Sequence, residues 1–151
     1  MAVGVSALAA IPARSRIYLD TNVWIYALEG FESFSRPLAE LFARIDEGEL
    51  AAVTSELTLA EVLVKPFQSN RQELERIYLD NLQTSATLTV APVSREVLMS
   101  AARLRAQYPP LKLPDAIHAA TALAHDAHTF ITNDARFGSV DALTPIILNA
   151  S

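Results

Sequence analysis

The chain predicts an α/β fold, a three-layer α/β/α domain around a central parallel sheet of four to five short strands. Three observations predict it. Short apolar runs rich in β-branched and aromatic residues alternate with longer segments of helical spacing. Those runs are apolar at nearly every position, as strands covered on both faces are. The length, 151 residues, suits one core, and a chain that is 51 % apolar with only four Gly carries neither a repeat nor a linker.

The first thirteen residues, MAVGVSALAAIPA, are small and apolar. They contain no basic residue, and Arg14 and Arg16 follow the apolar stretch rather than precede it. A flexible N-terminal tail over 1–15 is therefore expected rather than a secretory leader, with one domain over 16–151. The apolar run 17–19 predicts the first strand, ending at Asp20. A helix over 23–28 is stopped by Gly30. Leu38, Leu41, Phe42 and Ile45 place one buried face on a helix over 35–47, closed by Gly48. A strand over 50–54 leads to a very apolar helix over 55–64, which Pro66 is expected to end. Leu74, Ile77, Tyr78 and Leu82 mark an amphipathic helix over 71–82. A strand over 86–93 precedes a helix capped by Ser94 and running to 106, before Pro109 and Pro110. Pro114 opens a helix to 124. Strands over 129–132 and 145–148 complete the pattern.

The absence of Cys excludes a disulfide framework, a thiolate zinc site, an iron–sulfur cluster and a cysteine nucleophile. No apolar run reaches the ~18–20 residues of a membrane span, and a Cys-free chain of this kind fits a cytoplasmic setting. The net charge of −5 argues against passive coating of nucleic acid. It leaves room for an enzyme that holds nucleic acid through a local patch and a metal.

Four acids stand in telling places. Asp20 follows the first strand directly, and Asp134 comes two residues after the strand ending at Thr132. Both project over the carboxyl edge of a parallel sheet, where active sites of such folds lie. Asp115 occupies the first turn of its helix in LPDAIHAATAL, and Glu61 is the only charge in LTLAEVLV. Each has an ordinary role open to it. Asp20 can cap the next helix, Asp115 can complement the helix dipole, Asp134 can be a turn residue, and Glu61 can pair with Lys65 one turn on. Together they suggest more. Like charges ~4 Å apart repel by roughly 4 kcal/mol at an effective dielectric of ~20, so converging carboxylates take up protons or bind cations. All-oxygen donors select hard ions such as Mg²⁺ or Mn²⁺, which suit phosphoryl chemistry.

The segments YLDTNVWIYAL, SELTLAEVLVKP, LPDAIHAATAL and FITNDARF, in that order, resemble the four acidic motifs of the PIN-domain ribonuclease family, and most nearly its VapC-type toxin branch. The resemblance spans about 17–140, and the last two motifs are its most specific part. It implies a parallel sheet flanked by helices and a Mg²⁺- or Mn²⁺-dependent endoribonuclease. In such an enzyme water attacks the phosphodiester in line, leaving a 5′-phosphate and a 3′-hydroxyl. The metal-binding and catalytic acids would be Asp20, Glu61, Asp115 and Asp134. Asn22, Ser55 and Thr132 fall on supporting polar positions. The toxin branch implies a cognate antitoxin that reaches the active site, and commonly a homodimer. The departures from the pattern are the longer N-terminal segment and His118 in the third motif.

The remaining candidates are weaker. His118 and His125 share a helix with Asp115, and His128 follows it, but no H-E-x-x-H spacing points to zinc, and surface or capping roles are expected for them. There is no G-x-S-x-G elbow and no phosphate-binding glycine loop. A haloacid-dehalogenase-like phosphatase would want a second Asp where Asn22 stands. Lys112 and Arg136, each within three residues of a candidate ligand, are candidate RNA phosphate contacts, with surface ion pairing as the ordinary alternative. Trp24 and Tyr26 suit the core or a dimer contact. Two further readings stay open: a housekeeping RNA-processing nuclease of the same kind without an antitoxin, and a catalytically silent interaction module.

Overall fold

The computed structural model describes residues 2–149. Its elements are β1 (Ala2–Val3), α1 (Ser6–Ala9), β2 (Arg16–Leu19), α2 (Thr21–Leu28), α3 (Glu32–Asp46), β3 (Ala51–Ser55), α4 (Glu56–Gln68), α5 (Gln72–Asn81), β4 (Leu88–Ala91), α6 (Arg95–Gln107), α7 (Leu113–Ala124), β5 (Thr129–Thr132) and β6 (Thr144–Ile147), with a 3₁₀ turn at Ala135–Ser139 before β6. The strands form one parallel sheet in the order β1-β6-β5-β2-β3-β4. This is the predicted three-layer α/β architecture, with a two-residue sixth strand, β1, added at one edge.

Alternation along the strands builds the two cores. Ile17, Leu19, Ala52 and Ile131 face one way and pack with α1 to α5. Tyr18, Val53 and Phe130 face the other way and pack with α7 and the 3₁₀ turn. Successive side chains of a strand point to opposite faces, so each strand serves both layers and reads as continuously apolar. The chain runs outward from β2 to β3 and β4, then returns to place β5 on the other side of β2. The helix after β2 and the turn after β5 therefore leave the sheet on opposite faces, and the switch point beyond the carboxyl ends of β2 and β5 is where the crevice of such sheets is expected.

Four helices stop by one device. Gly30 (φ 71°), Gly48 (φ 79°), Asn70 (φ 56°) and Asp126 (φ 54°) are left-handed residues just past α2, α3, α4 and α7. The N–H groups of Phe31, Glu49, Arg71 and Ala127 reach back to the carbonyls of Tyr26, Arg44, Pro66 and Ala122, the six-to-one bond of a Schellman cap. Asn70 corrects the expectation that Pro66 ends α4. Proline removes only its own N–H bond, and the helix runs on to Gln68, where the Asn70 cap takes over.

The N-terminal segment is the larger correction. Residues 2–11, expected as a flexible tail, are folded onto the domain. Gly4 N–H donates to Ile147 O at 2.8 Å, extending the β1 pairing. Leu8 and Ile11 are buried against α3. Arg44 of α3 donates to Leu8 O and Ile11 O, satisfying carbonyls at the end of α1. The segment is too short for its helical period to stand out among alanines, and its partners lie 33 or more residues away.

Leu8→Ala should lower unfolding stability by about 2–3 kcal/mol in urea titration, as for other buried leucines. A tail that carried no packing would leave the midpoint unchanged.

Candidate active site at the carboxyl edge of the sheet

Asp20 is the first residue past β2. Its N–H donates to Ile131 O at 3.0 Å, so it is still in register with β5. It is also the N-cap of α2, with its Oδ1 accepting from Thr21 N–H at 2.9 Å. Oδ2 accepts from the hydroxyl of Thr132, the last residue of β5, at 2.7 Å. The same hydroxyl accepts from Asp134 N–H at 3.1 Å, so one buried oxygen fixes both acids of the β2–β5 crevice.

Glu61 comes from α4, whose start is set by Ser55 Oγ accepting from Leu57 N–H. It does not pair with Lys65, which instead reaches Glu29 at 3.2 Å. Two hydrogen bonds converge on a single oxygen, Glu61 Oε1: from Thr21 Oγ1 at 2.7 Å and from His118 Nε2 at 2.7 Å. The side chain is 35 % accessible. Behind it a string of threonine hydroxyls, Thr21, Thr58 and Thr54, spaced at 3.2 Å, leads back to Trp24 Nε1 and Leu19 O.

Asp115 and Asp134 form the other half of the site. Asp115, on the first turn of α7, accepts from Lys112 N–H at 3.2 Å and lies 3.1 Å from Arg136 Nη2. Asp134 caps the 3₁₀ turn through Arg136 N–H and takes the Arg136 guanidinium as a two-oxygen chelate. One guanidinium thus spans the two acids, an arrangement suited to its planar fork.

The electrostatics follow from this division. Burial pushes the Asp20 carboxyl up, against the opposing pull of His118, Thr132 and Thr21. Burial pushes Glu61 up as well, but the hydrogen bond and charge of His118 bring it below the usual carboxylate range. Burial works against charge on His118, yet the bond to Glu61 and the nearby charges of Asp20, Glu61 and Asp115 raise it. The Arg136 hydrogen bonds hold Asp134 below its ordinary value.

Of the residues singled out in the sequence, Asp20, Glu61, Asp115, Asp134 and Thr132 are joined in one network through Thr21, His118, Thr132 and Arg136. Asn22 is not in it. Its Nδ2 donates to Asn133 Oδ1 at 2.6 Å, and Asn133 Nδ2 donates to Tyr26 Oη, forming a rim across the crevice. Ser55 is buried in the cap of α4. Lys112 is exposed at the mouth. Arg136 is engaged with carboxylates. His118 overturns the expectation of a surface or capping histidine. It is 2 % accessible, on an α7 face buried from Ala116 to Ala122. Its position three residues after Asp115, inside the apolar run AIHAATA, was the available signal. Thr21 carries no separate signal in the sequence, because a threonine at the start of a helix suits its cap as readily. His125 and His128 lie apart, bonding Arg16 and Ala142 through a backbone carbonyl and a ring nitrogen.

The donor chemistry suits a hard divalent cation: four carboxylates, with a guanidinium already bridging two of them as a cation does. Among the described residues no group of three or more His, Asp or Glu side chains stands at metal-ligand spacing.

The PIN domain family matches residues 17–143. The chain belongs to this family. No curated protein matches it in sequence. Among solved structures, this PIN domain is similar to VapBC2 from Rickettsia felis bound to a DNA fragment from their promoter, with TM-score 0.67 and 22 % identity over 89 % of this chain and 97 % of that one. It is similar to a toxin–antitoxin complex from Klebsiella pneumoniae, with TM-score 0.63 and 26 % identity over 85 % and 95 %. It is also similar to VapBC-5 from Mycobacterium tuberculosis, a member of the VapBC family of toxin–antitoxin systems, with TM-score 0.57 and 23 % identity over 88 % and 98 %. No described helix of the PIN domain is long and apolar enough to cross a membrane.

Thr132→Val keeps the shape of a fully buried side chain but removes the hydroxyl that serves Asp20 and Asp134. It should cost about 1–3 kcal/mol in chemical denaturation, the range for stranding buried polar groups. An unchanged midpoint would show that neither acid depends on it.

Proposed function

We propose that this PIN domain is a Mg²⁺- or Mn²⁺-dependent endoribonuclease acting on RNA phosphodiester bonds, with Asp20, Glu61, Asp115 and Asp134 as its metal-holding catalytic acids. The observation that carries the reading is the joining of these four acids, from β2, α4, α7 and the turn after β5, in one network at the topological switch point. The family match and the donor chemistry support the same reading.

Asp20, Glu61, Asp115 and Asp134 would hold a divalent ion there, and it would lower the pKa of an attacking water and offset charge on the phosphate. The chain's own residues prepare the place. Thr132 and the Thr21 amide hold Asp20 against its burial, while Thr21 Oγ1 and His118 hold Glu61. Without a cation the carboxylates repel a phosphodiester. RNA binding at the crevice should therefore depend on the metal. Arg136, once its hold on Asp115 and Asp134 is relaxed, is placed to meet a phosphate oxygen, with Lys112 at the mouth beside it.

The toxin–antitoxin structures that share the fold support a further assignment, the toxin of such a pair with a cognate antitoxin as its inhibitor; we propose in addition that it acts in the cytoplasm as a homodimer.

RNA incubated with the protein and Mg²⁺ or Mn²⁺ should be cut, and a chelator should abolish cutting. Asp20→Asn and Asp115→Asn should each reduce the rate by about a hundredfold or more, as for loss of a group stabilising transition-state charge. Undiminished cleavage by both variants sinks the nuclease assignment. Growth arrest on expression, relieved by the product of a small adjacent reading frame, tests the toxin role separately.

A further inference from the structure

The four acids do not explain why a histidine is buried among them. His118 is 2 % accessible and Tyr18 is fully buried beneath it. Tyr18 Oη lies 2.6 Å from His118 Nδ1, and their rings meet edge to face at 5.8 Å between centroids. Tyr18 is itself stacked on Phe130 at 4.9 Å, which packs on Phe137 at 4.4 Å. The imidazole is thus clamped by an aromatic column running through the core. Its other nitrogen, Nε2, carries a proton whether the ring is neutral and accepts at Nδ1 or is charged, and it aims that proton at Glu61 Oε1.

Glu61 needs such a hold. Glutamate has three rotatable bonds, and this one sits on a half-open helix face beside water. Fixing it by Oε1 limits its rotation and leaves the other oxygen, Oε2, available to a ligand. In metal sites the groups behind a ligand commonly orient it this way, and removing them typically weakens metal affinity or activity 10–100-fold.

We infer that His118, braced by Tyr18, is a positioning residue that holds Glu61 by Oε1 and presents Oε2 to the cation. Thr21 contributes the second bond to the same oxygen but belongs to α2, so Glu61 is tied to both layers of the domain at once. The inference rests on the metal-dependent reading of the site, and its test separates the two. ¹³C relaxation of the Glu61 γ-methylene, measured on the metal-free full chain, reads the positioning alone. Titration calorimetry with Mn²⁺ then reads its consequence. His118→Leu should mobilise Glu61 and weaken Mn²⁺ binding about tenfold or more, the range for loss of an orienting partner. His118→Gln, which can return an N–H to Oε1, should restore order and bring affinity within about threefold of the wild type. Tyr18→Phe should loosen Glu61 while leaving the imidazole in place. In a Glu61→Gln background, His118→Leu should add little further loss, because coupled residues are not additive.

A folded His118→Leu protein whose Glu61 is as ordered as in the wild type overturns the inference. So does a loss of affinity that is equal in both backgrounds. If His118→Leu does not fold, the Tyr18→Phe measurement decides, and unchanged order at Glu61 overturns it. A wild-type chain that takes up no Mn²⁺ overturns the metal-dependent reading, while the relaxation data still decide whether His118 positions Glu61.

Discussion

A carboxylate buried to 5 % accessibility at the end of a central strand sets the terms for this domain. An ionised carboxylate stranded in that position costs several kcal/mol unless donors meet it. Asp20 finds one in the first amide of α2, which fixes where that helix starts, and one in Thr132, which arrives only because β5 pairs with β2 in the register Leu19↔Ile131. A slip of one residue would turn the Thr132 hydroxyl to the opposite face. Sheet register and site geometry are here a single constraint.

The same alternation carries the site's second tier. Tyr18 and Phe130 lie one pleat below Asp20 and Thr132 on the same face, where they stack and meet α7. The column that fills this core therefore ends at His118, and Phe137, at its far end, anchors the turn that bears Asp134 and Arg136. Glu61 approaches from α4, and Thr21 links it to α2. Elements from both sides of the sheet meet at the place where the strand order reverses, so no single helix holds the site together.

What the sequence made legible follows from range. The parallel α/β class, five of the six strands and the main helices rest on patterns spanning a few residues, and Gly30 and Gly48 mark helix ends by conformation alone. The switch-point acids could be ranked because the ends of strands are local features. Pro66 reads as a stop until Asn70, one turn further on, is seen to carry the cap. The other errors share a cause: their deciding partner was distant. The N-terminal segment reads as a tail until Arg44 and β6 are placed against it. His118 reads as a surface residue because its partners, Tyr18 and Glu61, are 100 and 57 residues away. Asn22 fell on a familiar position, yet its side chain found Asn133 rather than an acid.

The charge of −5 takes on a different meaning once the acids are located. Four of the seventeen acidic residues belong to one crevice, and the others nearly balance the twelve basic ones. The surface is thus close to neutral, and the acidity that argued against a nucleic-acid ligand is concentrated where a phosphodiester would have to approach. Even there it is partly offset, by Arg136 on one pair of acids and by His118 beside the other. The two offsets differ in kind. His118 is buried and fixed, so it remains part of the frame. Arg136 is on the surface, and its ion pairs are the weaker for being hydrated. A divalent cation competing for Asp115 and Asp134 would meet its least resistance from that arginine, and freeing the guanidinium would add a phosphate-binding group as the carboxylates are neutralised. On the proposed reading, metal uptake and RNA affinity would be coupled through this one side chain.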